Sequence, residues 1–247
     1  MSAHKPRATR PSVIVDGVYK RFTLSHAHSF KDTVVSWVRR KKTTSTFEAL
    51  KGIDVVIDEG ESVAILGFNG SGKSTLLKLI SGVMKPDQGT VLTRGRVAGL
   101  IEVGAGFHPE LSGRENVYLN AAILGMSRDE IEARYDDIVA FSEIEQFIDQ
   151  EVKHYSSGMF MRLAFSVAIH VDLDVLLVDE ILSVGDAPFR EKCRRKFEEL
   201  IAAHRTLVVV SHDLGMVRDL CTRGVVIRSG NIAFDGPIDE ALRYVET

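Results

Sequence analysis

Eight consecutive residues, Gly67-Phe68-Asn69-Gly70-Ser71-Gly72-Lys73-Ser74, carry glycines, a lysine and a hydroxyl at the spacing that suits a phosphate chain. Glycine lets successive backbone N–H groups converge on phosphate oxygens, and a helix starting at the end of such a loop presents its positive pole to the same charge. Lys73 is placed to reach the outer phosphates and the Ser74 hydroxyl to ligate Mg²⁺, with Thr75 beside it at the helix start. A second segment, Val175-Leu176-Leu177-Val178-Asp179-Glu180, ends an apolar run in two carboxylates. Asp179 suits the metal, directly or through water, and Glu180 suits a general base that orients an attacking water. Alone, the first segment could be a flexible turn and the second a surface turn. Together they predict the binding and hydrolysis of a nucleotide's phosphate chain.

The elements around these segments follow from periodicity. Ser62–Leu66 is a compact apolar run before the glycine-rich loop and Thr75–Ile80 a helical one after it, so the order is strand, loop, helix. Val13–Val18 and Val55–Ile57 read as short strands. Ser112 with Glu115, and Ser127 with Glu130, have capping-box spacing and open two helices, which makes residues 112–170 mainly helical. Asp174–Val178 and Thr206–Val210 read as strands buried on both faces, with a charged amphipathic helix at 190–204 between them. Val225–Ile227 and Ile232–Phe234, parted by Ser229-Gly230-Asn231, predict a hairpin. Strands alternating with helices imply a parallel sheet covered on both sides.

Bulk properties narrow the class. The chain has 247 residues, 45% of them hydrophobic, enough for one large core or two modest ones. Cys193 and Cys221 stand in no metal-ligand spacing and fit a reduced, cytosolic protein. No apolar stretch approaches the length of a membrane span, and the basic start MSAHKPRATRP has no apolar core behind it, unlike a signal peptide. Residues 1–51 hold 11 Lys+Arg against 3 Asp+Glu, a formal +8, and the remainder holds 20 against 31, a formal −11. A basic arm on an acidic body suits anionic lipid or a phosphate-bearing partner, or is simply a solvated tail, and the acidic body itself is unsuited to a nucleic-acid backbone.

Tyr155-Ser156-Ser157-Gly158-Met159, shortly before the Asp179 strand and opening a helix over Phe160–Ile169, resembles the LSGGQ signature of ABC (ATP-binding cassette) proteins. Ser156 and Gly158 match the consensus serine and second glycine, while Tyr155, Ser157 and Met159 depart from it. The resemblance covers about residues 12–240. It implies an α/β fold, a P-loop NTPase ABC cassette with a parallel-sheet RecA-like core, an antiparallel β subdomain and an inserted α-helical subdomain at about 112–170. It further implies that Ser156, Ser157 and Gly158 contact the γ-phosphate of ATP held by a second subunit. Ser183-Val184-Gly185-Asp186 looks like the D-loop, His212 looks like the switch histidine contacting the γ-phosphate, and Phe22, with Tyr19 as competitor, takes the place of the aromatic that stacks on adenine. The usual Q-loop glutamine is missing before Leu111-Ser112-Gly113-Arg114-Glu115-Asn116, and Glu102 falls closest to its position.

That segment, YSSGM and an insertion at 23–47 resemble the ATPase subunits that export O-antigen, capsule or teichoic acid polymers. The implied function is ATP- and Mg²⁺-dependent export of a lipid-linked polysaccharide by a homodimer of this chain with two copies of a separate transmembrane permease, at the cytoplasmic face of the membrane and without nucleic acid. A transporter of another substrate and a soluble ABC ATPase are the alternatives. Residues 1–11 read as a flexible basic arm and 12–247 as one ABC ATPase domain, with no carbohydrate-binding domain expected after it. Within the insertion, Phe30, Val34, Trp37 and Val38 form an apolar helical stripe followed by the basic run Arg39–Lys42. Such a stripe could pack on the antiparallel strands as core, and the basic run beside it leads to the expectation that the segment faces the membrane partner.

Overall fold

A computed structural model describes residues 10–25, 44–100, 104, 106–179 and 186–246. The phosphate-loop strand β3 (Ser62–Leu66) lies inside a six-stranded sheet with β5 (Val97–Gly99), β6 (Val175–Val178), β7 (Thr206–Val209), β8 (Arg223–Arg228) and β9 (Asn231–Pro237), in the order β5-β6-β7-β3-β8-β9. All neighbours are parallel except β8 and β9, the anticipated hairpin. Its turn residues Ser229 and Gly230 both have left-handed φ, at 51° and 83°, as two-residue hairpin loops require. A separate antiparallel sheet pairs β1 (Pro11–Ser25) centrally between β2 (Thr44–Asp58) and β4 (Gln88–Thr93).

Alternation along the central strands divides the core in two. Val63, Ile65, Val175, Leu177, Val208, Val225 and Ile227 pack on one side with β1, β2 and helix α1 (Lys73–Ile80). Ala64, Leu66, Leu176, Val178, Leu207, Val209 and Val226 face the other, against α2 (Gly113–Ile123), α3 (Arg128–Ser142), α4 (Ser157–His170), α5 (Ala187–Ala202), α6 (Leu214–Leu220) and α7 (Ile238–Glu246). Arg223 ties the sheets together, donating to Asp235 on β9, Glu61 and the Val56 carbonyl on β2.

Both anticipated capping boxes are present. Ser112 Oγ accepts from the Glu115 amide while Glu115 Oε2 accepts from the Ser112 amide at 2.8 Å, and Ser127 and Glu130 repeat the exchange. Asn116, fully buried, donates to the carbonyls of His108, Leu111 and Ser112, which pins the loop before α2 onto the helix.

Several boundaries differ from the sequence reading. The strands expected at Val13–Val18 and Val55–Ile57 are each 15 residues long. Register shifts between Val15 and Val18 and between Lys20 and Arg21, with Gly17 and Gly52 at positive φ, interrupt the period-two pattern that alternation relies on. The flanks of the insertion at 23–47 are therefore strand, Thr23–Ser25 pairing with Thr44–Thr46. The stripe Phe30–Val38, the run Arg39–Lys42 and residues 1–9 of the arm expected at 1–11 lie outside the described residues, whereas Pro11 opens β1 opposite Asp58 and the Arg10 carbonyl accepts from the Glu59 amide. The signature helix begins at Ser157 rather than Phe160, because Ser156 Oγ already accepts from the Met159 amide at 3.2 Å. Strands β4 and β5 and helices α6 and α7 had no sequence expectation.

Candidate active site

Strand register assembles the site. Ala64 of β3 and Val178 of β6 are both paired with Val209 of β7, so the three chains leave the sheet at its C-terminal edge together. Gly67 follows three residues after Ala64, Asp179 one after Val178 and His212 three after Val209. A strand advances about 3.3 Å per residue, so a two-residue slip would displace one of these groups by about 7 Å. The edge where parallel strands end is where open α/β sheets take ligands.

The loop itself depends on its glycines. Gly67 has φ 143°, and a Cβ there would lie 2.2 Å from the Ile227 carbonyl oxygen on β8. Gly72, at φ 116°, occupies the N-cap of α1, and its carbonyl accepts from the Leu76 amide. The β8–β9 turn clasps the loop, Gly230 N donating to the Ser71 carbonyl at 3.0 Å and Lys51 N of β2 donating to the Gly230 carbonyl at 2.8 Å. Lys73 is 7% exposed and its Nζ donates to the carbonyls of Gly67 and Phe68, at 2.8 and 3.1 Å. Its ammonium is thus folded over the mouth of the loop. Ser71 Oγ is buried without a hydrogen-bond partner.

An open cavity of about 180 Å³ is lined by Phe22, Phe47 and Ala49 from the β1–β2 ribbon and by Asn69, Gly70, Gly72, Lys73, Ser74 and Thr75 from the loop and α1. The structure thereby brings Phe22 together with the phosphate loop. Phe47, its direct cross-strand partner and 48% exposed, stands on the same wall. Sequence reasoning missed Phe47, whose place depends on ribbon register. Tyr19 instead packs on Gly52, where a Cβ would lie 2.9 Å from its hydroxyl.

The orphaned Ser71 hydroxyl, the open amides at the start of α1 and the lysine at the loop mouth fit a phosphate chain. Ser74, exposed, and Asp179, half-buried, offer oxygen ligands. Among the described residues no group of three or more His, Cys, Asp or Glu could hold a metal. Mg²⁺ bound through one or two protein oxygens plus phosphate oxygens needs no such cage.

The remaining expected residues stand as follows. Ser156 caps α4, Ser157 opens it, and both are exposed. A Cβ on Gly158 would meet, among the described residues, only Ser156 Oγ, 3.9 Å away, so no other described residue covers the signature loop there. Tyr155, at the family's leucine position, donates from its hydroxyl to the Phe147 carbonyl at 2.8 Å, and burial pushes its pKa up to about 12. His212 is exposed between β7 and α6. Asp186 caps α5, accepting from the Phe189 amide at 3.2 Å. Glu102, Glu180 and Ser183–Gly185 lie outside the described residues.

The sequence model of the ABC transporter family matches residues 50–183. The chain belongs to the ABC transporter family. It is 46% identical over 237 residues to the O-antigen export system ATP-binding protein RfbB of Myxococcus xanthus, a match covering 94% of this chain but 54% of that one. A Klebsiella pneumoniae protein of the same name is 42% identical over 240 residues, with 96% of both chains covered. The teichoic acids export ATP-binding protein TagH of Shouchella clausii is 36% identical over 236 residues, covering 96% of this chain and 65% of TagH. The chain thus spans about half the length of the first of these relatives and nearly all of the second. Among solved structures, the post-hydrolysis dimer of the ATP-binding cassette MJ0796 with ADP and Pi has a TM-score of 0.73 at 24% identity, covering 92% of this chain and 98% of that one. That likeness establishes the ABC cassette fold anticipated from the motifs.

Proposed function

We propose that this chain is the ATP-hydrolysing subunit of an ABC exporter of a lipid-linked polysaccharide. The observation that carries the enzymatic part is one cavity joining Phe22 and Phe47 to Asn69, Gly70 and Gly72–Thr75, an aromatic wall beside a phosphate cradle. The polymer class rests on the O-antigen and teichoic acid export named for its relatives.

In this reading Phe22 and Phe47 flank the adenine of ATP, and the amides of Gly70–Thr75 hold the phosphates. Lys73 turns from the Gly67 and Phe68 carbonyls toward the β- and γ-phosphates. Ser74 and Asp179 would hold Mg²⁺, which when bound would supply neutralisation of phosphate charge. Glu180 takes the proton of the water that attacks the γ-phosphorus as the bond to ADP breaks, and His212 contacts the γ-phosphate. Glu102 stands in for the Q-loop glutamine near the metal, and Asp186 closes the D-loop. Ser156, Ser157 and Gly158 of a second copy cover the phosphates, so two chains enclose two nucleotides. No helix among the described residues is long and apolar enough to cross a membrane, and two copies of a separate permease supply the path at the cytoplasmic face.

The test is Glu180→Gln. The variant should bind ATP, lose nearly all turnover and accumulate as a nucleotide-bound dimer in size-exclusion chromatography. Hydrolysis at near wild-type rate would remove Glu180 from the role of base.

A further inference from the structure

Arg162 lies on α4, the helix that begins at the signature serines, and its guanidinium joins three elements. Nη1 donates to Glu143 Oε2 at 2.8 Å, where α3 ends in a left-handed C-cap, and Nη2 donates to Asp186 Oδ1 at 2.8 Å. The guanidinium carbon sits 4.7 Å from the centre of the Phe189 ring in the first turn of α5. Phe189 is 1% exposed and packs edge-on against Phe141 and Phe165, so the platform beneath the guanidinium is rigid. The Arg162 side chain is itself only 18% exposed, and Lys192 adds a second cation on Glu143 at 3.1 Å.

The bond to Asp186 has a particular consequence. Asp186 Oδ1 accepts from both the Phe189 amide and Arg162, so the residue that caps α5 is fastened to the signature helix. Asp179 and Asp186 bracket the six residues that start with Glu180. Register in the sheet fixes the first of these anchors and Arg162 the second.

We infer that Arg162 is a positioning residue for hydrolysis: it couples the signature helix to the chain that follows the general base by holding Asp186. This rests on the ATPase reading above. A planar guanidinium can serve two carboxylates while lying on a ring, whereas a lysine ammonium has neither the fork nor the flat face. Arg162→Lys therefore keeps the charge and loses the bridge. Asp186→Asn keeps a residue that caps helices well and removes the ion pair. Both changes leave the phosphate loop and the Phe22–Phe47 wall untouched.

Steady-state ATPase of the full chain should show kcat reduced about tenfold in Arg162→Lys and in Asp186→Asn, with KM for ATP within about twofold of wild type. The double variant should be no slower than the slower single variant, because both remove one link. A merely structural role would not produce this split and this non-additivity. Wild-type kcat in folded Asp186→Asn overturns the proposal, and so does an additive, roughly hundredfold loss in the double variant. If Arg162→Lys fails to fold, Asp186→Asn carries the test alone, since it leaves Arg162 bonded to Glu143. A wild-type chain without ATPase activity refutes the functional reading, and the proposal falls with it.

Discussion

Gly72 offers a quantitative test of how the phosphate loop is held. At φ 116° a residue with a Cβ is strained, and that Cβ would lie 2.7 Å from both the Ala49 carbonyl oxygen and Leu50 Cδ2. The oxygen belongs to the backbone of β2, which the Lys51–Gly230 bond ties to the hairpin turn, so it has little freedom to retreat. Gly72→Ala should cost about 1–3 kcal/mol in backbone strain and about 1–3 kcal/mol in overpacking. In a domain of this size each kcal/mol moves Tm by about 2–4 °C, so the fall should be about 4–24 °C. Gly70 is the internal control. It also has positive φ, 78°, yet no described residue beyond its chain neighbours lies within 4 Å of its would-be Cβ. Gly70→Ala should carry only the backbone cost, about 1–2 kcal/mol or about 2–8 °C. Thermal unfolding followed by circular dichroism, without nucleotide, measures both. Equal Tm values for the two variants would refute the steric argument and leave the backbone angle as the whole effect.

Three further outcomes follow from the same geometry. Lys73→Ala removes the loop's buried cation and should weaken ATP binding by about 10–100-fold in calorimetry, with an unchanged Kd counting against its role at the phosphates. Mixing Ser156→Arg chains with Lys73→Ala chains should restore ATPase activity that neither shows alone, because one composite site stays intact; verified heterodimers without recovery would count against a shared site. His170 is buried beside the Ser166 carbonyl, and burial lowers its pKa. The unfolded chain then binds more protons, so this contribution is full above the ordinary pKa of about 6.5 and is lost as pH falls below it. His170→Gln should flatten the decline in the urea midpoint between about pH 7.5 and 5, and parallel curves for the two proteins would show that His170 is not its source.

What was legible in the sequence was mostly local. The boxes at Ser112–Glu115 and Ser127–Glu130 need partners three residues away, and the phosphate loop needs only its own glycines and the elements beside it. The buried strands Val175–Val178 and Thr206–Val209 announced themselves as unbroken apolar runs. What escaped depends on distant pairing. Phe47 enters the cavity because it faces Phe22 across a ribbon, and Arg162 finds Asp186 and Glu143 at separations of 24 and 19 residues. The extent of β1 and β2 was hidden by bulges, which break alternation without ending the ladder. Tyr155, a departure from the consensus, finds its reason in packing: a Cβ on Gly113 would come within 2.1 Å of its hydroxyl, so the glycine that opens α2 makes room for the tyrosine.

The two-sided burial of β3 carries a thermodynamic consequence. Val63 and Ile65 answer to the antiparallel sheet and α1, while Ala64 and Leu66 answer to the helices on the opposite face. A cavity cut at Ile65 and one cut at Leu66 would open into different layers, despite the single peptide bond between them. Energies of such changes add when the sites share no packing partners. Neighbours in sequence would then behave as strangers, and Leu66 would couple more strongly to residues of its own layer scores of positions away. Compensating substitutions in this chain are therefore confined to one face of the central sheet at a time, with the strand backbone as the partition between two separately tunable interiors.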